Sequence, residues 1–182
     1  MLTPEALAAT LLQHYGLQVR SQRALPGELD QNVAAVLDDG GRVVVKVSRR
    51  EPAGGSQQVT WQNEVLRHLE RSRNVSRLPV PRLRTTVDGE DLVEIGSGTT
   101  SVSLRVLSWL PGTMLSELPR HPPALLHELG AVAARLTLAL SDLPLPDGAP
   151  PTHHWDLLRA PQAVAANLPS VRERARREDV TM

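Results

Sequence analysis

Val43-Val44-Val45-Lys46-Val47 sets one cation among four valines, and Lys46 is the only lysine in the chain. Alternation along a β-strand sends Val43, Val45 and Val47 to one face and Val44, Lys46 and Ser48 to the other. An ammonium on a half-buried sheet is costly unless an anionic or hydrogen-bonding partner meets it. Two readings follow. Lys46 can snorkel at a sheet edge, its stem on apolar surface and its head in water; or it can hold phosphate. The segments on either side decide between them.

Upstream, Asp38-Asp39-Gly40-Gly41 predicts a tight hairpin into this strand, because Gly and Asp tolerate the positive φ that such turns demand. Val33 to Leu37 predicts the partner strand, and a further strand lies near Leu17 to Leu25. Between those two runs the turn-rich loop Pro26-Gly27-Glu28-Leu29-Asp30-Gln31-Asn32. A helix opens the chain, with Thr3 as N-cap, Pro4 in its first turn and Gly16 as its stop. Ala8, Leu11, Leu12 and Tyr15 share a face of it.

Downstream, Pro52 to Gly55 is a connector, and Ser56 to Ser72 predicts a helix with Trp61, Val65 and Leu69 as a stripe. Glu64 borders that stripe, where a carboxylate could reach a cation on the sheet or could simply be solvated. Leu78-Pro79-Val80-Pro81 is extended, since each proline biases its predecessor away from helix. Arg82 to Val87 and Asp91 to Ile95 predict a strand pair turned at Asp88-Gly89. Gly96-Ser97-Gly98 is loop, and Val102 to Ser108 is the last strand, ended by Trp109-Leu110-Pro111-Gly112. Pro122-Pro123 introduces a second strong helix, with Leu125, Leu129, Val132, Leu136 and Leu140 on one face. Pro144 to Pro151 is a proline-rich connector. His153-His154-Trp155-Asp156-Leu157, helical pieces broken at Pro169 and a charged tail from Arg172 to Asp179 complete the chain. The fold class is α+β: an antiparallel five-stranded sheet plus helix in residues 1–108, then a hinge and partial helical region in 109–182.

Composition limits the partners. The 182 residues carry zero formal net charge, so no global field recruits nucleic acid or an acidic membrane. No cysteine is present, which excludes disulfides and cysteine-based zinc sites. Three Trp, one Tyr and no Phe leave few stacking platforms for single-stranded nucleic acid. No apolar run approaches the roughly 20 residues of a membrane span, and no basic targeting region opens the chain. A cytoplasmic protein with no nucleic-acid or membrane partner is expected.

The chemistry-bearing residues form an ordered set. No His-x-x-x-His or carboxylate cluster has metal-ligand spacing, and neither a Gly-x-x-x-x-Gly-Lys loop nor a Gly-x-Ser-x-Gly elbow occurs. What remains is a polar turn between strands, a strand lysine, a helix glutamate and a strand ending in a Pro-Gly break. Phosphoryl transfer of the protein-kinase type uses these parts in this order.

Gly27-Glu28-Leu29-Asp30-Gln31-Asn32, Lys46, Gln62-Asn63-Glu64, Pro79-Val80-Pro81, Val106 to Gly112, Leu129-Gly130 and Trp155-Asp156-Leu157 together resemble the aminoglycoside phosphotransferase family. Its hydroxylysine-kinase-like branch is the part most similar, over most of residues 20–160. The resemblance implies a protein-kinase-like N-lobe followed by the first helices of an incomplete C-lobe. It implies that Lys46 and Glu64 serve catalysis, the lysine on phosphate and the glutamate paired with it. It implies that Gly27, Asp30, Gln31, Asn32, Lys46, Ser108, Trp109 and Leu110 bind a nucleotide, ATP or GTP, expected with magnesium. The partner would be a small hydroxyl-bearing substrate.

One part of the family pattern is missing. Members carry a catalytic His-x-Asp-x-x-x-x-Asn segment and then a metal-binding Asp downstream of the Trp-Asp-Leu region, and nothing here matches. The expectation is therefore a kinase portion without magnesium ligands and without turnover of its own, with a non-catalytic nucleotide-binding or regulatory module as the alternative. The apolar face of the Leu125–Leu140 helix is expected to be left open and to favour self-association.

Overall fold

A computed structural model describes residues 1–49, 55–72, 78–97, 101–144 and 157–170. Expectations for the connector at 52–54, for 145–156 and for the charged tail fall outside these residues. The chain divides into compact units Met1–Leu145 and Pro146–Met182.

In the first unit, helix α1 (Pro4–Tyr15) is built as its caps predict. The Thr3 hydroxyl accepts from the Ala6 amide, and Gly16 ends the helix at φ 64°. Its buried face is Leu7, Leu11 and Tyr15, whereas Leu12, expected inside, is 52% exposed. Strands β1 (Val19–Leu25), β2 (Gln31–Leu37) and β3 (Arg42–Arg49) form an antiparallel meander. The predicted hairpin joins β2 to β3: Gly40 has φ 84° and the Gly41 amide donates to Asp39 Oδ1 at 2.8 Å.

Three further strands complete the sheet: β4 (Leu83–Arg84), β5 (Val93–Ile95) and β6 (Val102–Ser108). The sheet order is β1-β2-β3-β6-β4, with β5 also on β6, so each of the six stretches read as a strand joins the sheet, one more than the five-stranded sheet expected. The expected pairing of 82–87 with 91–95 does not occur. Instead β4 and β5 share one edge of β6, opposite Val106–Leu107 and Val102–Leu104 respectively. The Asp88-Gly89 turn does form, with Gly89 at φ 87°, but the Val87 amide donates to the His14 carbonyl at 2.8 Å. That bond docks the turn on the end of α1 and removes the amide a strand ladder would need.

Alternation on β3 holds as expected. Val43, Val45 and Val47 join Val33, Ala35, Leu104, Val106 and the α1 face in one core, while Lys46 lies on the other side with α2. Tyr15 sits in that core and donates to the Leu104 carbonyl at 3.3 Å. Burial first, and then the nearby Asp91 carboxylate, push its phenol above its ordinary value. A raised phenol favours folding fully below the unfolded value of about 10 and loses that contribution as pH rises through the folded value. Wild type should therefore lose stability above about pH 10 by more than Tyr15→Phe does. Thermal unfolding of both across that range checks this; parallel curves would mean the phenol is not buried. Tyr15 is the only tyrosine, so a phenolate absorbance titration reads it alone.

Helix α2 (Gly55–Arg71) covers the Lys46 side of the sheet. Its inward residues are Val59, Asn63 and Leu69, with Trp61 and Val65 only half-buried. The helix is thus rolled toward Asn63, away from the stripe that apolar spacing alone suggests. Glu70 accepts from the Leu83 amide at 3.1 Å, and Arg67 ties Glu70 to Asp91, fixing α2 to the edge of the sheet.

Helix α3 (Pro123–Leu140) begins at the predicted Pro-Pro step and packs on α2. Leu69, Leu78 and Ala139 form a small core with Val65, Val132, Leu136 and Leu140 around it, and His68 Nε2 lies 3.0 Å from the Ala139 carbonyl. The face expected to be open is therefore partly covered, with Leu129 remaining 50% exposed. By length and composition α3 could cross a bilayer, contrary to the expectation that no stretch could; its packing on α2 covers only part of that apolar surface, with Ala139 its one fully buried residue. Because α3 docks on α2, the compact units do not divide at residue 108.

In the second unit a 3-10 turn (Leu157–Arg159) leads into α4 (Ala160–Asn167), and a further 3-10 turn at Leu168–Ser170 marks the break at Pro169.

Candidate functional site

Lys46 does not snorkel. Its Nζ lies 2.9 Å from Asp30 Oδ2 and donates to Asn32 Oδ1 at 2.9 Å, with both charged side chains about three-quarters buried. Asp30 ends the loop before β2 and Asn32 is the second residue of β2, where the β2–β3 register sets it directly across from Lys46. Asn32 Nδ2 in turn donates to the Pro26 carbonyl at 3.1 Å, folding the loop over the lysine. Gly27 is needed at this crossing. A Cβ there would lie 2.2 Å from Asn32 Nδ2 and 2.6 Å from the Asp30 carbonyl oxygen. Any side chain at residue 27 would therefore collide with the loop's own atoms and prevent this closure.

The remaining expected residues divide. Gln31, one residue from Asn32 on β2, faces the other side of the sheet. Its amide exchanges hydrogen bonds with the Leu2 backbone at 3.0 and 2.9 Å, so it anchors the N-terminus rather than reaching Lys46. Glu64 makes no ion pair with Lys46. It is exposed and lines a polar groove of about 490 Å³ with Arg67 and Asp91, whose lining does not include Lys46. The roll of α2 explains this: successive helical residues point about 100° apart, so seating Asn63 against the sheet swings Glu64 outward.

Ser108 closes β6, with its amide donating to the Arg82 carbonyl at 2.8 Å and its hydroxyl accepting from the Arg82 amide at 2.9 Å. Trp109 is half-buried with the Arg42 guanidinium 5.6 Å from its ring centroid, and Leu110 is exposed. A cation on one face of the indole holds the start of the segment beyond β6 against β3.

Sequence reasoning did not single out Arg105, and it named Asn63 only within Gln62-Asn63-Glu64, with no role of its own. Arg105 stands across from Lys46 in the β3–β6 register, so Asn32, Lys46 and Arg105 form one row across three strands. Only 2% exposed, it donates to Asn63 Oδ1 at 2.8 Å and to Gln62 Oε1. Burial holds its guanidinium below the usual arginine value, partly offset by Asp30. A signal was present: Arg105 interrupts Val102-Ser103-Leu104-Arg105-Val106 as Lys46 interrupts its valines. Among the described residues no group of three or more His, Asp or Glu stands close enough together to hold a metal ion.

The chain is similar to known proteins in sequence and in fold. Residues 21–181 match the phosphotransferase enzyme family. Hydroxylysine kinase of Danio rerio is 26% identical over 133 residues, covering 73% of this chain and 37% of that protein. Hydroxylysine kinase of Bos taurus is 30% identical over 145 residues, covering 75% and 38%. The chain thus spans under two fifths of the length of these relatives. Among solved structures, the amicoumacin kinase hAmiN in complex with AMP-PNP, Ca2+ and Ami superposes with a TM-score of 0.65 at 15% identity, over 93% of this chain and 52% of that one. A microcompartment-associated aminopropanol kinase gives 0.57 at 20% identity, over 85% and 46%. The antiparallel sheet with α2 across it is a kinase-like fold, and the chain belongs to the phosphotransferase enzyme family.

Proposed function

We propose that the chain is the nucleotide-binding portion of a small-molecule kinase, which passes the γ-phosphoryl group of ATP or GTP to a hydroxyl of its substrate. One observation carries the reading: the Lys46 ammonium is held at 2.9 Å by Asp30 and Asn32, in a loop that Gly27 allows to close. An ammonium so placed is a compact point charge for phosphate oxygens. In this reading Asp30 and Asn32 orient the lysine, the work expected of Glu64, and the backbone of Gly27 to Asn32 covers the phosphates. Ser108 to Leu110 lines the base.

The acceptor is a small hydroxyl-bearing molecule, a class to which hydroxylysine, the substrate named for the relatives, belongs. The sequence holds no His-x-Asp-x-x-x-x-Asn segment to position a base for that hydroxyl. The 182 residues by themselves therefore bind nucleotide without turning it over. Calorimetric titration with ATP and with GTP should show saturable binding by at least one, and nucleotide consumption should stay at background. Absence of saturation by both at millimolar concentration overturns the proposal, and steady magnesium-dependent consumption overturns its second half.

A further inference from the structure

Arg105 is a charge that the fold keeps buried without a carboxylate. It is 2% exposed, and among the described residues no Asp or Glu lies within ion-pair distance of it. Its two acceptors, Asn63 Oδ1 and Gln62 Oε1, are neutral amides. Two polar atoms at this contact have no partner: Arg105 Nε and Asn63 Nδ2. Both are donors, so anything that satisfied them would bring lone pairs. A carboxylate at residue 63 would do so and would neutralise the guanidinium, yet the chain carries an amide. Burying an uncompensated cation is costly, which makes its retention informative.

Its placement indicates what the charge acts on. Arg105 lies next to Lys46 in the row Asn32–Lys46–Arg105, on the face that α2 covers. Among the described residues Asp30 is the one carboxylate paired with this row. Two cations against one anion leave the row net positive, as a phosphate site requires.

We propose that Arg105 is a positioning residue of the nucleotide site. Held by the α2 amides, its guanidinium keeps the Lys46 cradle net positive and so strengthens its hold on polyphosphate. This rests on the nucleotide reading above. Arg105 is too buried to need contact with the ligand; its charge acts through the low-dielectric interior, where it is weakly screened. The effect must grow with the charge of the ligand.

The test is Asn63→Asp in the full 182-residue chain, with affinities for ATP, ADP and adenosine and a thermal unfolding curve. The substitution is nearly isosteric and replaces the orphaned donor by an acceptor for Arg105 Nε. Expected are an unfolding temperature equal to or above wild type, ATP affinity lower by about tenfold, a smaller loss for ADP and none for adenosine. A merely structural role predicts otherwise, because a new buried pair would tighten α2 and spare ATP. Unchanged ATP affinity, or equal losses for ATP and adenosine, overturns the proposal. So does a lowered unfolding temperature, which would mean the carboxylate does not meet Arg105. Arg105→Met, which removes the charge but keeps a stem, should weaken ATP and spare adenosine; equal losses again overturn it. Where wild type binds GTP instead of ATP, GTP, GDP and guanosine take the place of these ligands; wild-type protein that binds neither series overturns the nucleotide reading itself, and this inference with it.

Discussion

Lys46→Arg is expected to lose about 1–3 kcal/mol of nucleotide binding, the scale of a charge-assisted hydrogen bond made badly, while leaving the fold nearly intact. Arginine keeps the charge and much of the stem, and Asp30 can still accept from a guanidinium, so the loop should stay closed. The loss comes from shape. Asp30 Oδ2 and Asn32 Oδ1 both meet one nitrogen at 2.9 Å, leaving a single ammonium donor for a phosphate oxygen. A planar guanidinium spreads its donors in a wider fork and cannot serve three acceptors from one point. Calorimetry against ATP or GTP, whichever wild type binds, measures the loss, with thermal unfolding as control. Equal binding by the variant would make Lys46 a structural residue and remove the centre of the proposed site.

Leu104→Ala should cost about 2–5 kcal/mol of stability, the usual range for truncating a packed core leucine. Leu104 is fully buried at the middle of β6, opposite Val47 on one side and Val93 on the other. Its side chain belongs to the core shared by α1 and the sheet, so the cavity would be bounded by three strands and a helix that cannot all collapse inward. Against a typical total of about 5–15 kcal/mol this is a large fraction. Leu126→Ala on α3 is the comparison: at 52% exposure it should change stability by no more than about 0.5 kcal/mol. Denaturant midpoints for both variants give the answer. A loss at Leu104 no larger than at Leu126 would contradict the core described here.

The loop's role was only partly legible. Gly27, Asp30 and Asn32 were expected near phosphate, and the structure brings Asp30 and Asn32 to Lys46 across the closure at Gly27. Gln31 sits in the same motif, yet strand alternation turns it to the opposite face, where Leu2 occupies it. A motif read as a string does not separate the two faces; the start of β2 at residue 31 does.

By itself the sequence determined the local parts of this protein: the Thr3 and Gly16 caps of α1, the Gly40 hairpin, the alternation that isolates Lys46, and the Pro123 start of α3. Each depends on φ preference, a missing N–H or a period of two, which neighbours within a few residues suffice to express. Tertiary structure alone decided that β4 and β5 pair with β6 instead of each other, because the Val87 amide is taken by His14 more than seventy residues of chain distant.

 It also decided the roll of α2. Apolar spacing pointed Trp61, Val65 and Leu69 inward, but Arg105 on β6 draws Asn63 to the sheet and turns Glu64 away from Lys46. A buried guanidinium must find acceptors wherever the fold supplies them, and which helix face supplies them is settled only when strand and helix meet.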